Sequence, residues 1–473
     1  MMRCLAGMLA ACAVVSCGAP SIVESPTLRP PPPAWLGAVS ERPTMAAIPW
    51  RTWIDDPALR ALIDGALSDN PDVAIAAQRI AIAHAGVVRA GGALRPAVAV
   101  GGGASLAKPG RFTAEGAGNA TTDMMPGTVV PTVVPDFGHG LAASWEIDLW
   151  GKLRSARDSA VAQVQASEAA RDLVRTALVG DLAAAYTELL ALDHADGILA
   201  RSLERQIEAA EVLRLHKAAG RANELAIQQF AAQLAATEGL RRDTARQAAE
   251  WEARANVLVG RFPQPVARDK AWLFADLPTD VSAGVPADLL AHRPDLREAE
   301  AVLRAARCDL NAARAAFFPS ATLTAGLGYR AYNPLYLLHT PESLAFSLAG
   351  GLVAPLLNRG ELDAQFQVAQ AMQVQAFLAY QRAVIGAVGE VTTALSNLRA
   401  LQSVLEHRKA QQAALVKATE AADLLFRAGK ATYLELLMAR QASLEAELEL
   451  LEAWKRRRLA HVYLFRALGG GWR

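Results

Sequence analysis

The chain has 473 residues, 52% hydrophobic, 6% aromatic and 20% charged, with a formal net charge of +1. Such balance sets up no global field for nucleic acid or acidic substrates. Of four cysteines, Cys4, Cys12 and Cys17 lie in the leader and only Cys308 in the body, which excludes an intrachain disulfide framework there.

Residues 1–17 place Arg3 ahead of a short apolar run. The run is too short to cross a bilayer and has the form of a secretory signal. Val14-Val15-Ser16-Cys17 is similar to a bacterial lipobox, in which the cysteine is acylated and becomes the mature N-terminus. Leu9-Ala10-Ala11-Cys12 fits the pattern but leaves an unusually short apolar core, so Cys17 is favoured over Cys12. An ordinary cleaved signal with incidental cysteines is the alternative. Gly18, not Asp, follows Cys17, which by resemblance to such lipoproteins permits outer-membrane sorting.

Residues 18–56 form an extended N-terminal arm, rich in proline as far as 49. Helical signals begin at Trp50. Asp56-Pro57 supplies an N-cap with proline at the first helical position. Asn70-Pro71-Asp72 interrupts that helix, and a second one runs over 71–94.

Next comes a hairpin over 97–149. In 141–149, Leu141, Ala143, Trp145, Ile147 and Leu149 alternate with Ala142, Ser144, Glu146 and Asp148. The strand in 97–107 is weaker, with Val98, Val100 and Leu106 on one face. A second hairpin covers 320–353. There Leu323, Leu327 and Tyr329 alternate with Thr322, Thr324 and Gly328, and Leu344, Phe346 and Leu348 with Ala345, Ser347 and Ala349. Strands of about ten residues, apolar on one face and small or polar on the other, match outer-membrane barrel strands. A sheet covering a soluble core is the alternative, but the chain offers no such core. Four strands cannot close a barrel, the smallest bacterial ones having about eight. An open edge in lipid is forbidden. Membrane-spanning strands here therefore require the chain to oligomerise. The hairpin loops, about 108–137 and 331–341, read as solvated.

A long helix then fills 152–218, with no proline between Pro135 and Pro263. Leu178, Leu182, Ala185, Leu189, Leu192, Leu199 and Leu203 recur at steps of four and three, with Asp196 the one polar interruption. This is a heptad seam that asks for partner helices. At 1.5 Å per residue the helix is roughly 100 Å long. A glycine turn at Gly220 leads into a helix over 221–258. Residues 151–220 recur as 360–429, 209 residues later, and Pro71 and Pro96 recur as Pro294 and Pro319, 223 later. The chain is thus two copies of one module, 57–260 and 286–473, joined by a linker over 261–285. The second copy has its long helix at 361–427 and its last helix at 431–468.

Several of these runs resemble the outer-membrane factors of tripartite efflux pumps, the TolC-like lipoprotein channels that serve resistance–nodulation–division transporters. The matching stretches are Asn70-Pro71-Asp72, SWEIDLWGKLRSA (144–156), AHRPDLREAEAVLRAA (291–306), ARAAFFPSATLTAGLGY (313–329), PLLNRGEL (355–362) and the Gly429 turn before Tyr433-Leu434-Glu435-Leu436-Leu437. The resemblance implies a mixed α and β membrane fold: a long α-helical periplasmic barrel continuous with a transmembrane β-barrel, twelve strands from a homotrimer. It implies a passive outer-membrane exit channel in a Gram-negative bacterium, lipid-anchored, that carries drugs, toxic compounds or metals. Its partners would be a periplasmic adaptor, an inner-membrane transporter and outer-membrane lipid, with no nucleic acid. Its only prosthetic group would be the diacylglycerol and N-acyl chains on the mature N-terminal cysteine.

The family's tips, Gly220-Arg221 and Gly429-Lys430 here, are where the adaptor docks. Glycine also simply supplies the positive φ that ends a helix. Basic residues cluster nearby, and a solvated helix end is their bland explanation. Some members of the broader family close the tip with rings of Asp. Glu435 falls on one such position and Met438 on the other, so Glu435 is a candidate aperture residue and the double ring is absent. Lys455-Arg456-Arg457-Arg458 reads as a solvated helix face rather than a nucleic-acid patch. Gly101-Gly102-Gly103 is no phosphate loop, and no metal or catalytic motif is present. Two other functions compete: an outer-membrane channel for type I protein secretion, and a periplasmic coiled-coil scaffold without a pore.

Overall fold

A computed structural model describes residues 19–22, 27, 29–35, 45, 48–125, 127–220, 223–277, 283–355 and 359–472. Cys12, Cys17 and Arg221 lie outside the described residues. The longer elements are α1 (Pro57–Asp69), α2 (Pro71–Gly92), β1 (Ala97–Ala107), β2 (Val134–Ile147), α3 (Lys152–Ala218), α4 (Glu224–Val259), α5 (Pro294–Ala315), β3 (Ser320–Ala331), β4 (Leu344–Val353), α6 (Gly360–Arg427) and α7 (Tyr433–Ala467). They fall into two compact units. One contains Ile82–Val164 and Ala301–Phe377, the other Thr27–Ala81, Gln165–Glu300 and Leu378–Arg473.

The first unit holds one antiparallel sheet in the order β1-β2-β3-β4. Its register keeps the alternation in phase. Val100 faces Leu141, Leu141 faces Leu327, and Leu327 faces Phe346, so one face is a continuous apolar row. The opposite face aligns Ala97, Ser144, Thr324 and Ala349. β2 begins at Val134, seven residues before the alternation starts, and ends at Ile147, so Leu149 lies outside it. The early part carries Pro135, Gly138 and Gly140, which read locally as turn residues. In the sheet Gly140 sits opposite Gly328, and a Cβ on Gly328 would lie 2.2 Å from the His139 carbonyl oxygen. Two backbones approach there as only glycine allows. Before β2, the connection carries a helical turn, Ala114–Asn119, and a small hairpin of Asp123–Met125 with Thr128–Val129.

In the second unit the heptad seam of α3 is buried at Leu178, Leu182, Ala185, Leu189 and Leu199. Its polar interruption, Asp196, accepts from Arg241 on α4 at 2.8 Å. Duplication reaches individual atoms. Asn70 donates its amide to the Leu258 carbonyl at 2.8 Å, and Arg293, its equivalent, donates to the Ala467 carbonyl at 2.8 Å. Gly260 and Gly469 follow those carbonyls with φ of 84° and 93°. Each closes its helix with paired hydrogen bonds back to the last turn. A Cβ on Gly260 would lie 2.7 Å from the Asp69 oxygen, and one on Gly469 2.7 Å from the His292 oxygen.

The linker is stitched down by partly buried polar contacts. Arg268 pairs with Asp193 at 2.6 Å and Glu252 at 2.8 Å. The Tyr186 hydroxyl donates to Asp56 at 2.5 Å and accepts from the Asp269 amide at 2.8 Å. The linker's turn Lys270–Phe274 also covers one face of α7. This corrects the expectation for Lys455-Arg456-Arg457-Arg458. Only Arg456 stays exposed, whereas Arg457 and Arg458 are 7% and 6% exposed. Arg458 donates to the Trp272 and Ala275 carbonyls and lies 4.4 Å over the Trp272 ring. A single helix cannot reveal which distant segment will cover it.

Gly469→Ala should lower the thermal unfolding midpoint clearly, because it combines a left-handed backbone with a backbone collision; its cost exceeds about 1 kcal/mol. Gly386→Ala, in mid-helix where a Cβ meets nothing within 4 Å, should be neutral or stabilising by up to about 1 kcal/mol. Equal effects of the two substitutions would contradict the packing described.

Candidate functional site

The sheet meets the helices at a junction built by SWEIDLWGKLRSA. Asp148 turns back after β2 and accepts from the Leu153 and Arg154 amides at 3.1 and 3.0 Å, capping α3. Gly151, with φ 79°, makes the reversal between them. The Trp150 indole donates to the Pro319 carbonyl at 2.8 Å and its ring stacks on Phe318 at 4.9 Å. At the opposite end of the strands stand Tyr329, Tyr332 and Tyr336. Aromatic groups at both ends of an apolar band are what the two interfaces of a bilayer favour. The apolar face between them is open: Val100 is 81% exposed and Phe346 83%. The outer edges of β1 and β4 have no strand partner among the described residues.

In the second unit, α3–α4 and α6–α7 form two helical hairpins. Gly220 and Gly429 end α3 and α6 with φ of 68° and 69°. After Gly429, the Lys430 amide returns to the Leu425 carbonyl at 2.9 Å. Asn223 then caps α4, accepting from the Ala226 amide at 3.0 Å. The hairpins hold each other through Leu213, Ala226 and Phe230, against which Tyr433 and Leu437 pack. His216 stacks on Phe426 at 5.8 Å. Polar contacts cross as well. Arg201 pairs with Glu447 at 3.1 Å, Arg440 donates to the Arg205 carbonyl at 3.3 Å, and the Tyr433 hydroxyl donates to Gln229. Asp423 accepts from both Arg427 at 2.7 Å and Arg440 at 3.1 Å. Between the hairpins lies a cavity of about 1010 Å³, lined in part by Gln206, Leu213, Phe230, Asp423, Tyr433 and Arg440.

Sequence reasoning brought Gly220, Gly429, Lys430 and Glu435 to these ends, but missed Asp423 and the cross-hairpin pairs, which are long-range contacts. It also missed a local device. Thr432 and Glu435 form a capping box: the Glu435 carboxylate accepts from the Thr432 amide at 2.6 Å and hydroxyl at 2.9 Å, and its amide donates to the Thr432 oxygen at 3.3 Å. The amide bond, then the hydroxyl bond, hold this exposed carboxyl below its ordinary range. Arg214, Lys217, Arg427 and Arg440 all have acidic partners, so the tip cations belong largely to ion pairs. Among the described residues no cluster of His, Cys, Asp and Glu could hold a metal ion. Cys308 is half-buried, and burial raises its thiol.

The family model for outer membrane efflux proteins matches residues 62–259 and 285–470. The chain belongs to the outer membrane efflux protein family. It is 32% identical over 467 residues to the pyoverdine export outer membrane protein OpmQ of Pseudomonas putida, covering 97% of this chain and 95% of that protein. It is 29% identical to the solvent efflux pump outer membrane protein SrpC of Pseudomonas putida, over 93% of this chain and 91% of that one. A solved membrane protein from Pseudomonas aeruginosa superposes with a TM-score of 0.85 at 26% identity, over 95% of this chain and 99% of that chain. This efflux channel protein therefore acts in the outer membrane as the exit component of a pump. The chain thus presents two features that bear on such a channel: a sheet with an exposed apolar face and a pair of helical hairpin ends.

Glu435→Gln should leave the unfolding midpoint where it is, because glutamine also completes a capping box. Glu435→Ala should lower it. Acid should act as alanine does. The folded carboxyl is depressed, so its contribution is present at neutral pH and is lost as pH falls through the carboxylate range. Amide exchange at residues 433–436 follows all three; indifference to Glu435→Ala would remove the box as a determinant.

Proposed function

We propose that three copies of the chain close one twelve-stranded barrel that conducts small molecules passively out of the periplasm. The observation that carries this is the pair of open edges on β1 and β4, flanking a sheet whose apolar face is exposed. In hydrocarbon each unpaired backbone group costs several kcal/mol. Four strands cannot curl back on themselves, whereas β1 of one copy against β4 of the next makes a head-to-tail ring that closes. The same neighbour explains α2. That helix is long and apolar enough to cross a bilayer by composition, yet Ile82 and Val88 are 71% and 76% exposed. A second copy against α2 accounts for them.

The hairpin ends receive a periplasmic adaptor that joins the channel to an inner-membrane resistance–nodulation–division transporter. Residues 220–221 and 429–430 are the docking turns. The cross-hairpin contacts of Arg440, Arg201 and Tyr433 are the ones that must yield when the tip widens. Three symmetry-related Glu435 residues near the axis would set the cation preference of the aperture. OpmQ is named for pyoverdine export and SrpC for solvent efflux. Cargo this diverse among relatives favours a conduit whose selectivity is set upstream, and small molecules as the cargo here.

Lipidation at Cys17 is supported by Ala19, which packs against Leu310, Phe317 and Phe366. Phe317 adjoins Phe318, the partner of Trp150 at the membrane-facing junction. Two residues of chain reach at most about 7 Å, so acyl groups on Cys17 would begin beside that junction; Cys12 could lie about 25 Å away.

In detergent the protein should have three times the mass of its mature chain, and in planar bilayers it should conduct. A monodisperse monomer without conductance defeats the reading. Cys17→Ala should abolish metabolic labelling with palmitate, and persistent labelling would move the site to Cys12. Glu435→Gln should weaken the cation selectivity of the closed channel; unchanged selectivity assigns Glu435 to the capping box alone.

A further inference from the structure

The buried basic face of α7 is not balanced by its surroundings. Arg457, Arg458 and His461 lie on one side of the helix, 7%, 6% and 4% exposed. The His461 ring stacks on Trp53 at 5.4 Å, and Trp53 stacks on Phe465 at 4.1 Å. Within this packed group three nitrogen atoms lack hydrogen-bond partners among the described residues: Arg458 Nε, His461 Nε2 and Trp53 Nε1. Two are obligate donors, and the third donates in one neutral tautomer. Among the described residues no ion pair compensates either guanidinium. Asp55, ahead of α1, and Asp276, after the Lys270–Phe274 turn, are the acids that face them, and both are exposed to water. Buried donors left unpaired usually mark a missing water or ion, and unpaired buried charge is costly.

We propose that this cluster binds a monovalent inorganic anion of halide size. Its donors are few, and one of the two guanidiniums is already half satisfied by the Trp272 and Ala275 carbonyls. One negative charge balances the remainder, and a spherical ion accepts from three nitrogens without demanding a fixed geometry. The ion would fasten the linker turn, α7 and the segment before α1 to one another. Its charge would also relieve His461. Without it, burial and then the charges of Arg458 and Arg457 push that imidazole down to about 4. An unfolded histidine takes its proton near 6.5, so anion-free protein must lose stability as pH falls from there towards 4. A bound anion shrinks that loss.

The test uses the full chain. Crystals grown without halide and soaked in sodium bromide should show an anomalous peak in hydrogen-bond contact with Arg458 Nε or Trp53 Nε1. In solution, at constant ionic strength, the unfolding midpoint should rise with log bromide relative to gluconate. The rise should be larger at pH 5 than at pH 7.5, and should be reduced in Trp53→Phe. Both results are required. A water without anomalous signal, or equal midpoints in bromide and gluconate, overturns the proposal. A peak without the solution effect means binding at crystal concentration only, and overturns it as well.

Discussion

A sheet cannot end in hydrocarbon. Water is the only solvent that satisfies a free row of amide and carbonyl groups, and the bilayer core contains none. Much in this chain follows from that rule. One copy contributes four strands, enough to span a membrane but too few to enclose anything. Its register serves the same end, since Val98, Val100, Leu141, Leu327, Phe346 and Leu348 share one face. The long helices need not bury a thick core of their own. Their heptads make thin contacts side by side, which suits a wall around water better than a solid interior.

What could be read in the amino-acid order was whatever repeats or alternates. β3 and β4 carry clean alternation, so their ends are legible within a residue or so. The first half of β2 was hidden by Pro135, Gly138 and Gly140, whose local meaning is a turn and whose actual role is an edge position and a close approach to β3. The long helices were legible because proline is missing and leucine keeps step. Their partners were not, since nothing local links Asp423 to Arg440 or Arg201 to Glu447.

The basic run near the C-terminus marks a different limit. Lys455 to Arg458 looks solvated because four cations rarely share a buried setting. The linker overrides that expectation by supplying carbonyls and an indole face to Arg458. Glu435 shows the reverse failure. Its capping partner stands three residues away in plain view, yet the residue drew notice for a long-range role. The two are compatible, because the same carboxylate can close a helix end and carry charge.

Duplication has also left the halves chemically unequal. At one knuckle a neutral amide, Asn70, holds the returning helix. At the other a guanidinium does so, and it is itself held by Asp295 and Glu390. The first grip is a single uncharged hydrogen bond, whereas the second ties one guanidinium to two acids and a carbonyl at once. Two repeats alike in the order of their elements thus hold their returning helices by different chemistry.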